Sequence, residues 1–173
     1  MTAMPDLPAL FARMDAERQR SRELFAGIDE AALVYAESGW TFKDIVNHIT
    51  AWEEEAAAAL RAHAEGAAYA PPLLDHSEAE LARYNDAAYL ARRDLPLERA
   101  LADWEAAREQ LLAAIAALAP ERWETAMILP WSDPQPPRHL VGGMLWHEDY
   151  HRGDVLRAVG RHPEGSRAAA PAA

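Results

Sequence analysis

Hydrophobic residues recur at intervals of three and four along most of this chain, and alternating runs of apolar and polar residues are missing. Intervals of three and four place apolar side chains on one face of an α-helix, whereas a half-buried strand needs a period of two. Prolines cluster between the periodic stretches, where they end one helix or open the next. The pattern predicts an all-α protein without a β-sheet.

The first predicted helix begins near Pro5 or Pro8, and its apolar stripe extends to Ile28. Arg18 and Ser21 interrupt that stripe near its middle. We interpret the interruption as a partly exposed helix centre. The alternative is that these polar side chains line an internal site.

Two capping signals mark the next helices. Thr41 is suited to cap a second helix because Asp44 stands three residues on, and Gly66 is suited to end it. Ser77 opens the sequence Ser-Glu-Ala-Glu, which predicts a shorter helix within the long middle connection.

Two long helices complete the set. Pro96 opens a helix with apolar residues at heptad-like spacing over residues 97–118, interrupted only by Arg108. The last helix spans about residues 137–159, and Gly160 is suited to follow its C-terminus. Four long helices and one short extra helix predict a four-helix bundle.

At 173 residues the chain fits one domain, which we place at residues 1–160. Residues 161–173 are interpreted as a flexible C-terminal tail. The connection at residues 121–137 contains Trp123 and Trp131 among several prolines. Either the tryptophans close the end of the bundle, or this segment forms a lid or pocket wall.

Candidate chemistry lies on the last helix, where His147 and His151 share an apolar stripe with Met144 and Val155. Imidazoles four residues apart on a helix project from one face and can bind the same metal ion. A buried imidazole needs a partner for its ring nitrogens. A shared metal ion and separate hydrogen bonds are both open as partners.

His48 lies in the middle of the second helix, on its inward face, whereas the remaining histidines fall near element ends or in the tail. In a bundle, His48 and the pair on the last helix would place three nitrogens on one side of an ion and leave positions open for water or substrate. The segment His147-Glu148-x-x-His151 also matches the helix of zinc proteases. Those enzymes bind peptides along a sheet edge, which this chain is not predicted to have.

Two segments carry a family resemblance. Residues 39–53 read GWTFKDIVNHITAWE and resemble the second-helix motif of the DinB/YfiT-like superfamily. His147-xxx-His151-Arg152-Gly153 resembles the fourth-helix motif of that superfamily, with matching order and separation. The wording of residues 39–53 and the long middle section are most similar to the DfsB/ClbS subgroup. The resemblance covers most of residues 7–160.

The resemblance implies a four-helix bundle that holds a divalent metal ion, commonly zinc or nickel, on His48, His147 and His151. Relatives include transferases and isomerases that use a low-molecular-weight thiol, and hydrolase-like detoxifying proteins. Members of the superfamily often form homodimers. We therefore expect an enzyme that acts on a small electrophile by thiol transfer or hydrolysis. The alternative is a non-catalytic bundle that binds a small molecule or dimerises, with metal-free buried histidines.

Acidic side chains near the triad could orient a histidine or move protons, because metal-bound imidazoles usually donate their second N–H to such a group. Solvated helix charges are the simpler interpretation of each. The candidates are Glu148 and Asp154, followed by Asp44 and Glu55.

Substrate contacts are expected from aromatic residues and one arginine. Trp52, Trp131 and Tyr150 could wall an apolar pocket, although core packing explains Trp52 equally well. Arg152 could hold a substrate carboxylate, for which a surface salt bridge is the alternative.

Composition narrows the partners and the compartment. The chain has no cysteine, which excludes disulfides, thiolate metal ligands and a cysteine nucleophile. A net charge of -11 without a basic patch disfavours nucleic acid and anionic membranes as partners. The N-terminal segment lacks the apolar core of an export signal, and no apolar run is long enough to cross a bilayer. We expect a cytoplasmic protein with a small-molecule substrate.

Overall fold

A computed structural model describes residues 5–161. The predicted all-α bundle with an extra helix is confirmed. The five helices are α1 (Leu7–Phe25), α2 (Phe42–Glu65), α3 (Glu78–Arg92), α4 (Leu97–Ala116) and α5 (Pro137–Ala158). All but the first residue of the tail predicted at 161–173 lie outside the described residues, and the extent of the domain stays a prediction.

The prediction of no sheet was wrong in detail, because two short antiparallel ladders join the helices. β1 (Leu33–Tyr35) pairs with β2 (Trp40–Thr41), and β3 (Met127–Ile128) pairs with β4 (Pro134–Gln135). Strands of two or three residues are too short to produce a period-two pattern in the sequence.

Local capping chemistry sets the helix starts as predicted. The Asp44 carboxylate accepts the Thr41 backbone N–H at 2.9 Å, which fixes the start of α2. The Ser77 hydroxyl accepts the Glu80 N–H at 3.2 Å and opens α3. Gly66 ends α2 with φ of 68°, a left-handed conformation that glycine adopts without strain.

The bundle consists of α1, α2, α4 and α5, whose apolar faces form two hydrophobic clusters along the bundle axis. One cluster contains Met14, Leu60 and Leu111, and the other contains Phe25 and Ile49. Arg18 and Arg108 lie between the two clusters in sequence, and both are buried. The prediction of an exposed centre for α1 was therefore wrong, since Arg18 and Ser21 are each 0% exposed.

The extra helix α3 lies outside this core and packs on α2, and none of its residues is buried. Trp123 is 1% exposed and belongs to the core, whereas Trp131 is half-buried at the edge of a cleft. The connection after α4 therefore contributes both a plug and a pocket wall. Among residues 5–161 no helix has the length and apolar character to cross a membrane.

Candidate metal centre

Helices α2 and α5 bring three histidines together near the middle of the bundle. His48 Nε2 lies 3.0 Å from His147 Nε2, which in turn lies 3.2 Å from His151 Nε2. One nitrogen from each ring falls within 4.8 Å of the other two. His48 and His151 are buried and His147 is half-buried. The structure thus joins the histidine from the second helix to the pair on the last.

The proton on His151 is placed by two acceptors at its other nitrogen. Tyr35 Oη lies 3.0 Å from His151 Nδ1, and Asp154 Oδ2 lies 3.3 Å from it. Tyr35 has one hydroxyl proton and donates it to Asp154. Nδ1 of His151 must then carry the ring proton, which leaves the Nε2 lone pair directed at the other histidines.

Hydrogen bonds alone do not satisfy the three converging nitrogens. His147 Nε2 faces an Nε2 atom on each side, and a neutral ring nitrogen is either a donor or an acceptor. His151 Nε2 is an acceptor. If His147 Nε2 carries a proton, that one proton must be shared among three nitrogens, and if it does not, the lone pairs of His147 and His151 point at each other. A cation resolves this conflict, and two nitrogens bonded to one ion at about 2.0–2.1 Å lie about 3 Å apart.

The same environment keeps the His48 and His147 imidazoles neutral, as metal ligands must be. Burial, with a smaller contribution from the neighbouring His151, lowers the pKa of His48 to about 3. Burial also lowers the pKa of His147 well below its usual value, and the other two rings add to the effect.

Asp154 stays ionised beside this group. Burial opposes its charge, but hydrogen bonds with His151 and Tyr35 outweigh that cost and lower its pKa. Arg157 also pairs with it. For Tyr35, burial and the bond to Asp154 both raise the pKa. Tyr35 therefore remains a neutral donor, and Asp154 a carboxylate that faces a candidate ligand.

A cleft of about 640 Å³ opens onto the three histidines. Its walls include Trp52, Trp131 and Tyr150, the three aromatic residues expected at a pocket. Gly143 explains how Trp131 reaches the cleft, because a Cβ at this position would lie 3.3 Å from the indole. The other lining residues are Tyr35, Leu81, Asn85, Met144 and Trp146.

Glu148 and Arg152, two other predicted site residues, lie away from the cleft lining. Glu148 is 1% exposed and points into the bundle toward Arg18 and Arg108. Arg152 is buried and binds Glu17 at 2.8 Å together with Asp149, so it is neither a surface salt bridge nor a cleft residue. The reason is helical spacing, which turns these two side chains toward α1 while His147 and His151 face α2.

Glu148 is part of a buried charged quartet with one member from each bundle helix: Arg18, Glu53, Arg108 and Glu148. Arg18 contacts Glu53 at 2.7 Å and Glu148 at 3.2 Å, and Arg108 bonds both carboxylates. Backbone carbonyls take up further donors, with Arg18 bonding the Trp104 oxygen at 2.7 Å. The two positive and two negative charges of the quartet sum to zero. Its member on α5, Glu148, directly follows His147 in the sequence.

The secondary acidic candidates have structural partners elsewhere. Asp44 caps α2, and Glu55 accepts the Tyr69 hydroxyl at 2.9 Å. Neither contacts the histidines.

Sequence reasoning missed three features. Tyr35 lies on a three-residue strand, and Asn85 lies on a helix without buried residues, so neither had a periodic signal. The quartet did have one, because Arg18 and Arg108 interrupt two otherwise apolar stripes.

Comparison with known proteins agrees with the fold. The sequence profile of the DinB superfamily matches residues 13–155. A solved structure of the Sibling Lethal Factor Precursor DfsB superposes with a TM-score of 0.72 at 18% sequence identity. The match covers 94% of this chain and 99% of that one, and it supports the predicted nearness to the DfsB subgroup at the level of fold. No curated protein sequence matches the chain.

Proposed function

Because this chain belongs to the DinB superfamily, we propose that it binds a divalent metal ion, zinc or nickel, through His48, His147 and His151. We further propose that it uses this ion on a small electrophilic substrate, by thiol transfer or by hydrolysis. The observation that carries the proposal is the convergence of three Nε2 atoms whose lone pairs have no consistent hydrogen-bonding arrangement. Zinc or nickel suits the site because the donors are neutral imidazoles.

The surroundings support an open site. Three protein ligands leave room for water or substrate, and the cleft provides the access. A divalent ion there supplies Lewis-acid chemistry, which makes an oxygen or sulfur nucleophile available at neutral pH. Asp154 and Tyr35 hold His151 in the tautomer that a metal needs. The aromatic walls bind the apolar part of the substrate and exclude water around it.

Metal content tests the first half of the proposal. Protein purified without an affinity tag is expected to hold about one zinc or nickel ion per chain by elemental analysis. His48→Ala and His151→Ala should each lose most of it, since either change removes one of three ligands. His139→Ala is the matched control, because His139 is exposed at the start of α5.

Retention of the ion in both triad variants would contradict the site. A metal-free wild-type protein after exposure to both ions, with unchanged thermal stability in the triad variants, would favour the non-catalytic bundle.

Turnover of a model electrophile tests the second half. Styrene oxide fits the volume of the cleft, and 2-mercaptoethanol provides a small thiol. We expect the metal-loaded protein to speed formation of the hydroxy thioether, or of the diol if water is the nucleophile. Chelation and His147→Ala should both abolish the acceleration. Equal rates with and without metal would contradict the reaction class, and the identity of the product separates transfer from hydrolysis.

The support of His151 by Tyr35 gives a further expected result. Tyr35→Phe removes the hydroxyl that lies beside both His151 and Asp154, and should weaken zinc affinity by about tenfold. Competition with a chromophoric chelator measures this affinity. Tyr150→Phe is the matched control at the cleft rim and should leave zinc affinity unchanged. Equal affinities in wild type and Tyr35→Phe would show that Asp154 alone orients the histidine.

The low-molecular-weight thiol and the homodimer stay predictions that rest on the family resemblance.

A further inference from the structure

Resting on the proposed use of the cleft as the substrate site, we infer that Asn85 determines specificity by donating a hydrogen bond to the substrate. The substrate class is then a flat, largely apolar molecule that carries a carbonyl or similar acceptor at its edge. Asn85 lies on α3, on the wall of the cleft that the middle connection contributes.

The orientation of the Asn85 amide follows from its partner. Trp52 Nε1 lies 3.1 Å from Asn85 Oδ1, and an indole nitrogen can only donate. The atom facing Trp52 must therefore be the amide oxygen, which fixes the position of the amide nitrogen. Within residues 5–161, neither N–H of that nitrogen is engaged in a hydrogen bond. The cleft wall thus presents a held amide with two unused donors.

Two kinds of polar group at the histidine side of the cleft are already engaged. The Tyr35 hydroxyl donates to Asp154, and the Nε2 atoms of the triad face one another. Asn85 is thus a donor on α3, outside the two helices that carry the candidate metal ligands. A substrate acceptor that binds Asn85 would accept a hydrogen bond from its amide N–H, separately from the candidate metal site.

The Trp52 indole contacts both this amide and one ring of the triad. Trp52 bonds Asn85 at its Nε1, and its ring centroid lies 6.3 Å from that of His147. The indole is itself held by an edge contact with Tyr84 at 4.7 Å between centroids. A substrate that lies along Trp52 would place its acceptor at Asn85 and its reactive carbon toward the histidines.

The remaining walls select a flat shape. Trp131 closes one side against Gly143, and Trp146 packs on Tyr150 with 5.1 Å between ring centroids. Aromatic faces stack with planar groups and offer few polar contacts, so orientation within the cleft depends on the few donors present. Loss of a donor from a site that is otherwise apolar leaves the ligand acceptor unpaired.

The test compares two probes of one shape, 2-acetylnaphthalene and 2-ethylnaphthalene, which differ in a carbonyl against a methylene. Their dissociation constants are measured by calorimetry on chelator-treated protein, so that the ketone cannot bind a metal. The ratio of the two affinities should shift by about tenfold toward the ethyl compound in Asn85→Leu. Asn85→Asp keeps an oxygen for Trp52 but removes the donors, and should shift the ratio in the same direction.

A negative charge introduced at position 85 gives a readout that a structural role would not produce. Asn85→Asp should gain at least fivefold in affinity for naphthalen-2-ylmethanamine, because its carboxylate attracts the ammonium group. Asp86→Asn, on the exposed side of the same helix, is the control and should leave all three affinities unchanged.

An unchanged ratio in both Asn85 variants, or wild-type protein that binds neither naphthalene, would overturn the inference. Because the measurement needs neither metal nor turnover, its result is independent of the metal test. Loss of metal binding with an intact Asn85 effect would remove the proposed reaction and leave the recognition site standing.

Discussion

Replacement of Arg108 by leucine is expected to lower the free energy of unfolding by about 3–5 kcal/mol. Arg108 is 2% exposed and bonds both Glu53 and Glu148, each of which is 1% exposed. Without it, two buried carboxylates share the single guanidinium of Arg18. The attraction of those carboxylates raises the pKa of Arg108 although burial opposes its charge, so the arginine is fully ionised in the native protein. Truncation therefore leaves uncompensated charge between two hydrophobic clusters.

Urea denaturation at neutral pH measures this effect. Arg99→Leu is the matched control on the same helix, because Arg99 is 65% exposed and its pairing with Asp103 is screened by water. The double variant Arg108→Leu, Glu148→Leu removes one charge of each sign and should recover part of the loss. A loss below about 1 kcal/mol for Arg108→Leu would contradict the view that the quartet is dehydrated and mutually dependent.

Acid is expected to destabilise the metal-free protein by about 3 kcal/mol between pH 6.5 and pH 5 through His48 and His147 alone. In the folded protein the pKa of each ring is lowered from the usual 6.5, and for His48 it is lowered to about 3. As the pH falls below 6.5 the unfolded chain binds protons that the folded chain rejects. Each such histidine then costs about 1.1 kcal/mol per pH unit on average between pH 6.5 and pH 5, and about 1.4 kcal/mol per pH unit further down, until the pH reaches its folded pKa.

Unfolding free energies measured in the presence of a chelator at pH 6.5, 6.0, 5.5 and 5.0 give the slope. His48→Ala should make the average slope shallower by about 1.1 kcal/mol per pH unit, because that variant lacks one of the two histidines. His139→Ala controls for loss of an exposed imidazole and should follow wild type. Parallel curves for wild type and His48→Ala would show that the buried ring is not held neutral by the fold.

The helical bundle could be predicted because its signals are local. Thr41 with Asp44, Ser77 with Glu80, and Gly66 each carry capping chemistry within a few residues. The short ladders could not be predicted in this way. Trp40 and Thr41 form a two-residue strand, and its partner is chosen by tertiary packing rather than by a repeating pattern.

The histidine cluster was within reach of the sequence for a different reason. His147 and His151 are fixed by helical spacing, and His48 is the histidine in the middle of another inward-facing stripe. The cleft-facing residues Tyr35 and Asn85 had no such constraint. Each depends on how a connection between bundle helices packs on the bundle, and that is decided by long-range contacts such as the hydrogen bond that Trp52 donates to Asn85.

Arg18 and Arg108 show how a correct observation led to a wrong interpretation. Both interruptions of the apolar stripes are visible in the sequence, and the α1 interruption is interpreted there as a partly exposed helix centre, although an arginine can also be buried when its cost is offset. The cost is offset by glutamates on two other helices, which a pattern within one helix cannot reveal. The signal consists of two arginines that interrupt apolar stripes and two glutamates at matching positions on other helices. It can be found only by comparing the helices in pairs.

The helix α3 contributes a wall of the cleft without contributing a buried residue to the bundle. Part of the recognition surface therefore lies outside the core of the bundle. Substitutions on the cleft-facing side of α3 can accumulate at little thermodynamic penalty, while His48, His147 and the residues that seat them stay as they are. Such a scaffold can acquire new ligands through substitutions in one surface helix. A library of variants confined to residues 78–92 is therefore a suitable way to search for altered ligand selectivity.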